Sequence, residues 1–363
     1  MMSWSPTPVR TAVSTLTELW CHPAWRSSSY APSIQAVLRA KLTDADDVAR
    51  FRVAQVVHLL GPDDDTAFEL VRERLLTENR LLVSAVLLDG LSAFAEKRPA
   101  DVDALLATLG DREPWSGLLN EAEGTPDQRE PLGIFTGLAL ALTIRHRTPI
   151  ATELVRNWMS APAKTQTAWH ALTQLRAWIG LPADRGDERT RAFELLNLAI
   201  ISMVELRDTA IGASERTTTA YKIADLITRN LYFASGAGGV NRTPPAPGFS
   251  QRAFGALEIL ARFKHPPITH SLVKTLGHLS PADPARAFRL VAAAVGTGDE
   301  YTYDQLAAGE TTKLIKRYLA EFRAIVVTDN DLLTAIRSVL HAFVDTGWPT
   351  AISLAYRLSE AFR

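Results

Sequence analysis

The spacing of apolar residues constrains this chain more than any other feature. They recur at helical intervals along nearly the whole sequence, and no stretch alternates apolar and polar residues as a half-buried strand would. Pro, Gly and Asp interrupt the pattern every ~15 to 25 residues, which is the punctuation of short helical hairpins. Taken together the segments predict about 17 helices, or about eight hairpins, and an all-α fold. A length of 363 residues exceeds what a single core ordinarily serves. Stacked antiparallel hairpins remove that limit, because each packs only on its neighbours. The expected architecture is therefore an α-solenoid superhelix.

Composition excludes several alternatives. An apolar content of 47% with 22% charged residues is that of a folded chain, not a disordered one. The formal net charge of -1 gives no overall attraction to nucleic acid or to an acidic membrane, so an electrostatic partner needs a local patch. Cys21 stands alone, which rules out an intrachain disulfide and a cysteine zinc site and fits a reducing cytoplasm. The opening MMSWSPTPVR has no apolar signal core. The longest near-apolar run, Leu195 to Leu206, is broken by Asn197, Ser202 and Glu205, so no membrane span is expected. The expectation is a cytoplasmic protein without membrane contact.

The most regular stretch is Leu42 to Leu60, LTDADDVARFRVAQVVHLL. An acidic start (Asp44, Asp46, Asp47) runs into Phe51-Arg52-Val53-Ala54 and an apolar helix. Gly61-Pro62 ends it, and Asp63, Asp64 and Asp65 supply an N-cap and negative charge to the next helix. This pattern resembles the HEAT and armadillo repeats and recurs at about 40 residues from Ala31 to Leu109. The resemblance implies a curved stack whose inner helices line a surface for protein, peptide or nucleic acid. The closing helices, Pro284 to Arg363, also resemble C-terminal helical regions of large bacterial multidomain proteins, some linked to phage defence.

Changes in composition divide the chain into four. Residues 1–110 hold the HEAT-like hairpins, and 111–234 hold central repeats with longer helices. Residues 235–250, SGAGGVNRTPPAPGFS, form a flexible Gly/Pro loop, and 251–363 hold the C-terminal helical repeats.

Two places invite a functional reading. Between Leu140 and Pro182 the cations Arg145, Arg147, Arg156, Lys164 and Arg176 face one acid, Glu153, with tryptophans interleaved. Trp169 lies one shoulder off the apolar stripe of its helix, while His170 and Gln174 point away from that stripe, towards solvent or a groove. Basic groups that hold phosphates beside a ring that stacks on bases suit a single strand or a flipped base. The second place is the Gly/Pro loop, with Arg242 and Phe249 as handles for a partner.

Other constellations read as structure. Asp89, Ser92 and Glu96 form a solvated stripe on an otherwise apolar helix, and Glu194, Asn197, Glu205 and Asp208 a polar face on a long one. His265, His270 and His278 lack the spacing of metal ligands. No catalytic motif is present, and no cofactor or metal is implied.

The expected function is a non-enzymatic scaffold that binds another macromolecule, a protein foremost, as a subunit or arm of a larger assembly. Self-association through end repeats without polar caps is a further expectation. The alternative is nucleic-acid binding through the basic, Trp-containing groove, by analogy with HEAT-like DNA glycosylases.

Overall fold

The computed structural model describes residues 5–121, 125–209, 214–239, 243–296 and 300–361, and among these there is no β-strand. The chain divides into two compact units, Met1–Gln174 and Leu175–Arg363.

The first unit opens with α1 (Pro8–Cys21), the single turn α2 (Pro23–Arg26), α3 (Ala31–Lys41) and α4 (Asp47–Ala54). It continues with α5 (Asp64–Thr77), α6 (Leu81–Leu91), α7 (Pro99–Gly110) and α8 (Trp115–Asn120). Then come α9 (Arg129–Ala141), α10 (Pro149–Ser160) and α11 (Gln166–Ile179), the last of which contains the unit boundary. In this unit α1, α4, α6 and α9 pack each on the next as a row. Helix α5 covers α6, while α10 packs on both α7 and α9.

The second unit holds α12 (Gly186–Asp208), α13 (Ser214–Ala234), α14 (Phe249–Leu260), α15 (Pro266–Leu279) and α16 (Pro284–Ala294). It closes with α17 (Gln305–Glu321), α18 (Arg323–Thr328), α19 (Asn330–Asp345) and α20 (Pro349–Ala361). Here α12, α13, α15, α16, α19 and α20 pack in succession. The all-α expectation is met, with neighbours in sequence as neighbours in space.

Local chemistry sets most of the helix starts. Asp46, Asp63, Asp283 and Asp329 each cap the helix that follows, their carboxylates accepting from Val48 N, Thr66 N, Arg286 N and Leu332 N. Pro8, Pro99, Pro149 and Pro284 stand in the first turn, where a missing N–H costs nothing.

Helices of eight residues or more correspond one for one with the segments read from periodicity. The short α2 and α8 escape the pattern, since one or two turns carry too little period to detect. Two boundaries also differ. The Leu42–Leu60 helix stops at Ala54 and continues only as a 3-10 turn over Val57–Leu59. The apolar period reads as one helix from Tyr303 to Val326, but the helix breaks at Phe322 into α17 and α18.

Burial follows the apolar stripes. Helix α6, LLVSAVLLDGL, is enclosed by α4, α5 and α9 and buries Val83, Ala85, Leu87, Leu88 and Leu91. The 110–130 stretch, polar in composition, still supplies Trp115 to the core. Its Nε1 donates to Ser84 Oγ at 2.8 Å, and its ring packs on Phe135.

Candidate functional site

Because α6 is enclosed on most sides, its one charged residue, Asp89, emerges along a narrow stripe. Ser92 Oγ donates to Asp89 O at 2.6 Å, where the helix tightens into the 3-10 turn Ser92–Phe94. Phe94 is buried edge-on against Phe68, and this anchors the turn that carries Glu96 to the surface. Across from this stripe lies α9. A cleft of ≈ 540 Å³ opens between them, with Asp89 and Glu96 on one wall and Glu130, Arg145 and His146 on the other. Ile134 and Ala141 give it an apolar lining, and Gly133 and Gly137 of α9 bring bare backbone to its edge.

The far wall depends on how α9 ends. Its last turn widens into a π turn, Leu142–His146, closed by Arg147 in the left-handed region at φ 55. The turn carries Arg145 and His146 to Glu96: the Arg145 guanidinium donates to Glu96 Oε1, and His146 Nε2 lies 3.4 Å from Glu96 Oε2. The Arg145 and Glu96 side chains are 36% and 58% exposed, so solvent screens the pair. Exposed pairs of this kind are worth only about 0.2–1 kcal/mol. Asp89 and Glu130 are exposed and have no ion-pair partner among the described residues. The cleft therefore sets three carboxylates against one permanent cation, Arg145, and the imidazole of His146.

The structure does not gather the predicted basic surface into this cleft. Of the seven residues Arg145, Arg147, Arg156, Lys164, Trp169, His170 and Arg176, Arg145 alone lines it. Arg147, Arg156 and Lys164 are exposed, without ion-pair partners among the described residues. Trp169 is half-buried on α11.

His170 and Gln174 do not project into solvent. Gln174 Nε2 donates to Gly133 O at 2.6 Å, and a Cβ on Gly137 would stand 2.8 Å from Gln174 Oε1, so the glycines of α9 make room for this side chain. His170 is half-buried, and burial, followed by the nearby Arg129, pushes its imidazole below the ordinary value. Helical phase placed both residues off the apolar stripe correctly; it carried no information that α9 occupies that side.

Arg176 belongs to the second unit, where its guanidinium lies over the Phe233 ring at 5.1 Å. Both border a cleft of ≈ 450 Å³ with Gly236 and Thr243 to Ala246, so part of the Gly/Pro loop meets the end of α11. Buried Arg189 fastens that loop, donating to Leu181 O at 3.0 Å and to Pro247 O at 2.6 Å. Arg242 lies outside the described residues. Phe249 is no handle: it starts α14 fully buried, edge-on to Phe193, because the chain turns inward at Gly248 (φ 77).

His265, His270 and His278 have separate surroundings. His265 packs on Tyr221, His278 Nε2 is 2.9 Å from Thr243 O, and burial and Lys274 lower the pKa of His270. Glu194, Asn197, Glu205 and Asp208 are exposed, a solvated face as read. Among the described residues no group of three or more His, Cys, Asp or Glu side chains is arranged to hold a metal ion, and no helix is long and apolar enough to cross a membrane.

No family of proteins, no curated protein and no solved structure matches the chain.

Proposed function

We propose that this chain is a recognition module of the HEAT-like α-solenoid kind, non-enzymatic, which binds a protein partner on the face shared by α6 and α9. One observation carries the choice of partner: the acidic balance of the α6–α9 cleft. Asp89, Glu96 and Glu130 repel a phosphate backbone, which needs cations to neutralise it. A basic protein segment meets complementary charge there and apolar lining beneath it. The partner belongs in the cytoplasm by this reading, and the chain serves as an arm of a larger assembly.

A second reading keeps nucleic acid as the ligand, and the exposed Arg147, Arg156 and Lys164, without ion-pair partners among the described residues, favour it. The two separate by salt-dependent binding of short DNA strands and duplexes to the full chain, followed by fluorescence anisotropy. The protein-recognition reading expects no binding at low salt. Tight binding that weakens steeply with salt, and that disappears when Arg147, Arg156 and Lys164 are changed to Glu, would replace it with the nucleic-acid reading.

A further inference from the structure

The segment Thr243-Pro244-Pro245-Ala246-Pro247 leads the Gly/Pro loop into α14, and proline chemistry confines every residue of it. Pro244, Pro245 and Pro247 have φ locked at about −65°. Thr243 and Ala246 each precede a proline, which steers them out of the helical region into extended backbone. Pro247 then takes the second position of a type II turn, in which Phe249 N donates to Ala246 O at 2.9 Å and Gly248 has φ 77 and ψ -4. The segment is thus a strap of polyproline II character, a helix of about three residues per turn without internal hydrogen bonds. That period sets Pro244 and Pro247 on one edge; both are exposed, while Pro245 and Ala246 are half-buried.

We infer that this strap is a docking ligand for a partner domain whose aromatic-lined groove reads the pattern x-Pro-x-x-Pro. Thr243-Pro244 and Ala246-Pro247 are the two dipeptides that enter the groove. The inference concerns the second unit and does not depend on the α6–α9 reading.

Two further features of the strap fit it to that role. First, it is held in place at both ends. Arg189 Nη2 donates to Pro247 O at 2.6 Å, and His278 Nε2 stands 2.9 Å from Thr243 O. The end of α13 runs so close beneath that a Cβ on Gly236 would meet Thr243 O at 2.5 Å. A ligand fixed in its bound form loses little freedom on docking, which is what weakens recognition of a loose peptide. Second, the carbonyls of Pro244 and Pro245 accept no hydrogen bond among the described residues. They remain open to donors that project from a groove between its rings.

The test is fluorescence anisotropy of labelled SH3 and WW domains, used as probes with aromatic grooves, titrated with the full chain. Saturable binding in the micromolar range is expected from at least one domain. Pro244→Ala withdraws two ring methylenes from the groove and should weaken that binding about tenfold. Pro244→Ala/Pro247→Ala should abolish it. Pro245→Ala, which removes as much ring from the half-buried side, should stay within about twofold of the parent. Because Pro244 is exposed, Pro244→Ala should keep the parent's thermal midpoint, which separates lost contact from lost fold.

No saturable binding by any of these domains up to about 1 mM would overturn the inference. So would an equal loss in Pro244→Ala and Pro245→Ala, which would make the effect one of chain stiffness. Either result leaves the α6–α9 reading standing, since that face lies in the other unit.

Discussion

Asp103 of α7 and Thr148, the residue before α10, are joined by a buried hydrogen bond in which Thr148 Oγ1 donates to Asp103 Oδ1 at 2.8 Å. The same carboxylate accepts from Ala151 N at 2.7 Å and Ile150 N at 3.0 Å. Helix α10 has no side-chain cap of its own at Thr148, so a residue 45 positions earlier supplies it. This bond ties one hairpin to the next, and it holds in place the start of the helix that follows the π turn.

Asp103→Ala should therefore cost more than the loss of an ordinary cap. It strands buried donors at the start of α10, and the expected destabilisation is about 2–4 kcal/mol. Hydrogen exchange of the α10 amides is the measurement, because a chain of two units need not unfold in one step. An effect no larger than that of an exposed carboxylate would show that solvent satisfies those donors.

Arg147 carries a second prediction. Its left-handed backbone (φ 55) is strained for a residue with a Cβ, and glycine is the usual occupant of such a helix terminus. Arg147→Gly is expected to stabilise the first unit by about 0.5–1 kcal/mol, read as a rise in its thermal midpoint. Because Arg147 does not line the α6–α9 cleft, binding of a basic peptide should be unaffected. Loss of that binding in Arg147→Gly would extend the site beyond the cleft.

A third prediction concerns pH. Burial lowers the imidazole pKa of His58, His170 and His270 below the ordinary 6.5. Asp89 opposes the shift at His58 and Arg26 adds to it; Arg129 adds to it at His170. At His270 Lys274 adds to it, while Asp304 and Glu310 oppose it. In each case the fold prefers the neutral ring, so the unfolded chain takes up protons first as the pH falls. Their contribution to stability is complete above the unfolded value, and it is lost as pH drops through 6.5 towards the folded pKa. The thermal midpoint should fall between about pH 7.5 and pH 5.5, and His170→Gln should flatten its share of that fall. A midpoint that rises on acidification would contradict the buried-neutral assignment.

Much of the fold was legible because an amphipathic stripe repeats every turn, and a helix of eight residues or more shows it clearly. What periodicity could not show was partnership. Asp89, Ser92 and Glu96 were visible as a polar stripe, but nothing local says that Arg145 and His146, some 50 positions on, form the opposite wall. The basic segment 145–176 shows the same limit: a run of cations in sequence does not say what each one meets, and here Arg145 turns to Glu96 while Arg176 lies over Phe233. Phe249 illustrates a different limit: the loop's composition is polar, yet the residue that ends it begins the next helix and is buried by it.

The most direct test of the proposed partner surface is hydrogen–deuterium exchange of the full chain, alone and with saturating oligo-arginine peptide. The expected result is slowed exchange in residues 88–96 and 129–147, which carry the two walls of the cleft, and unchanged exchange around Arg176, Phe233 and residues 243–246. Protection confined to segments outside the α6–α9 cleft, or protection of 145–176 by a DNA strand but not by the peptide, would contradict it.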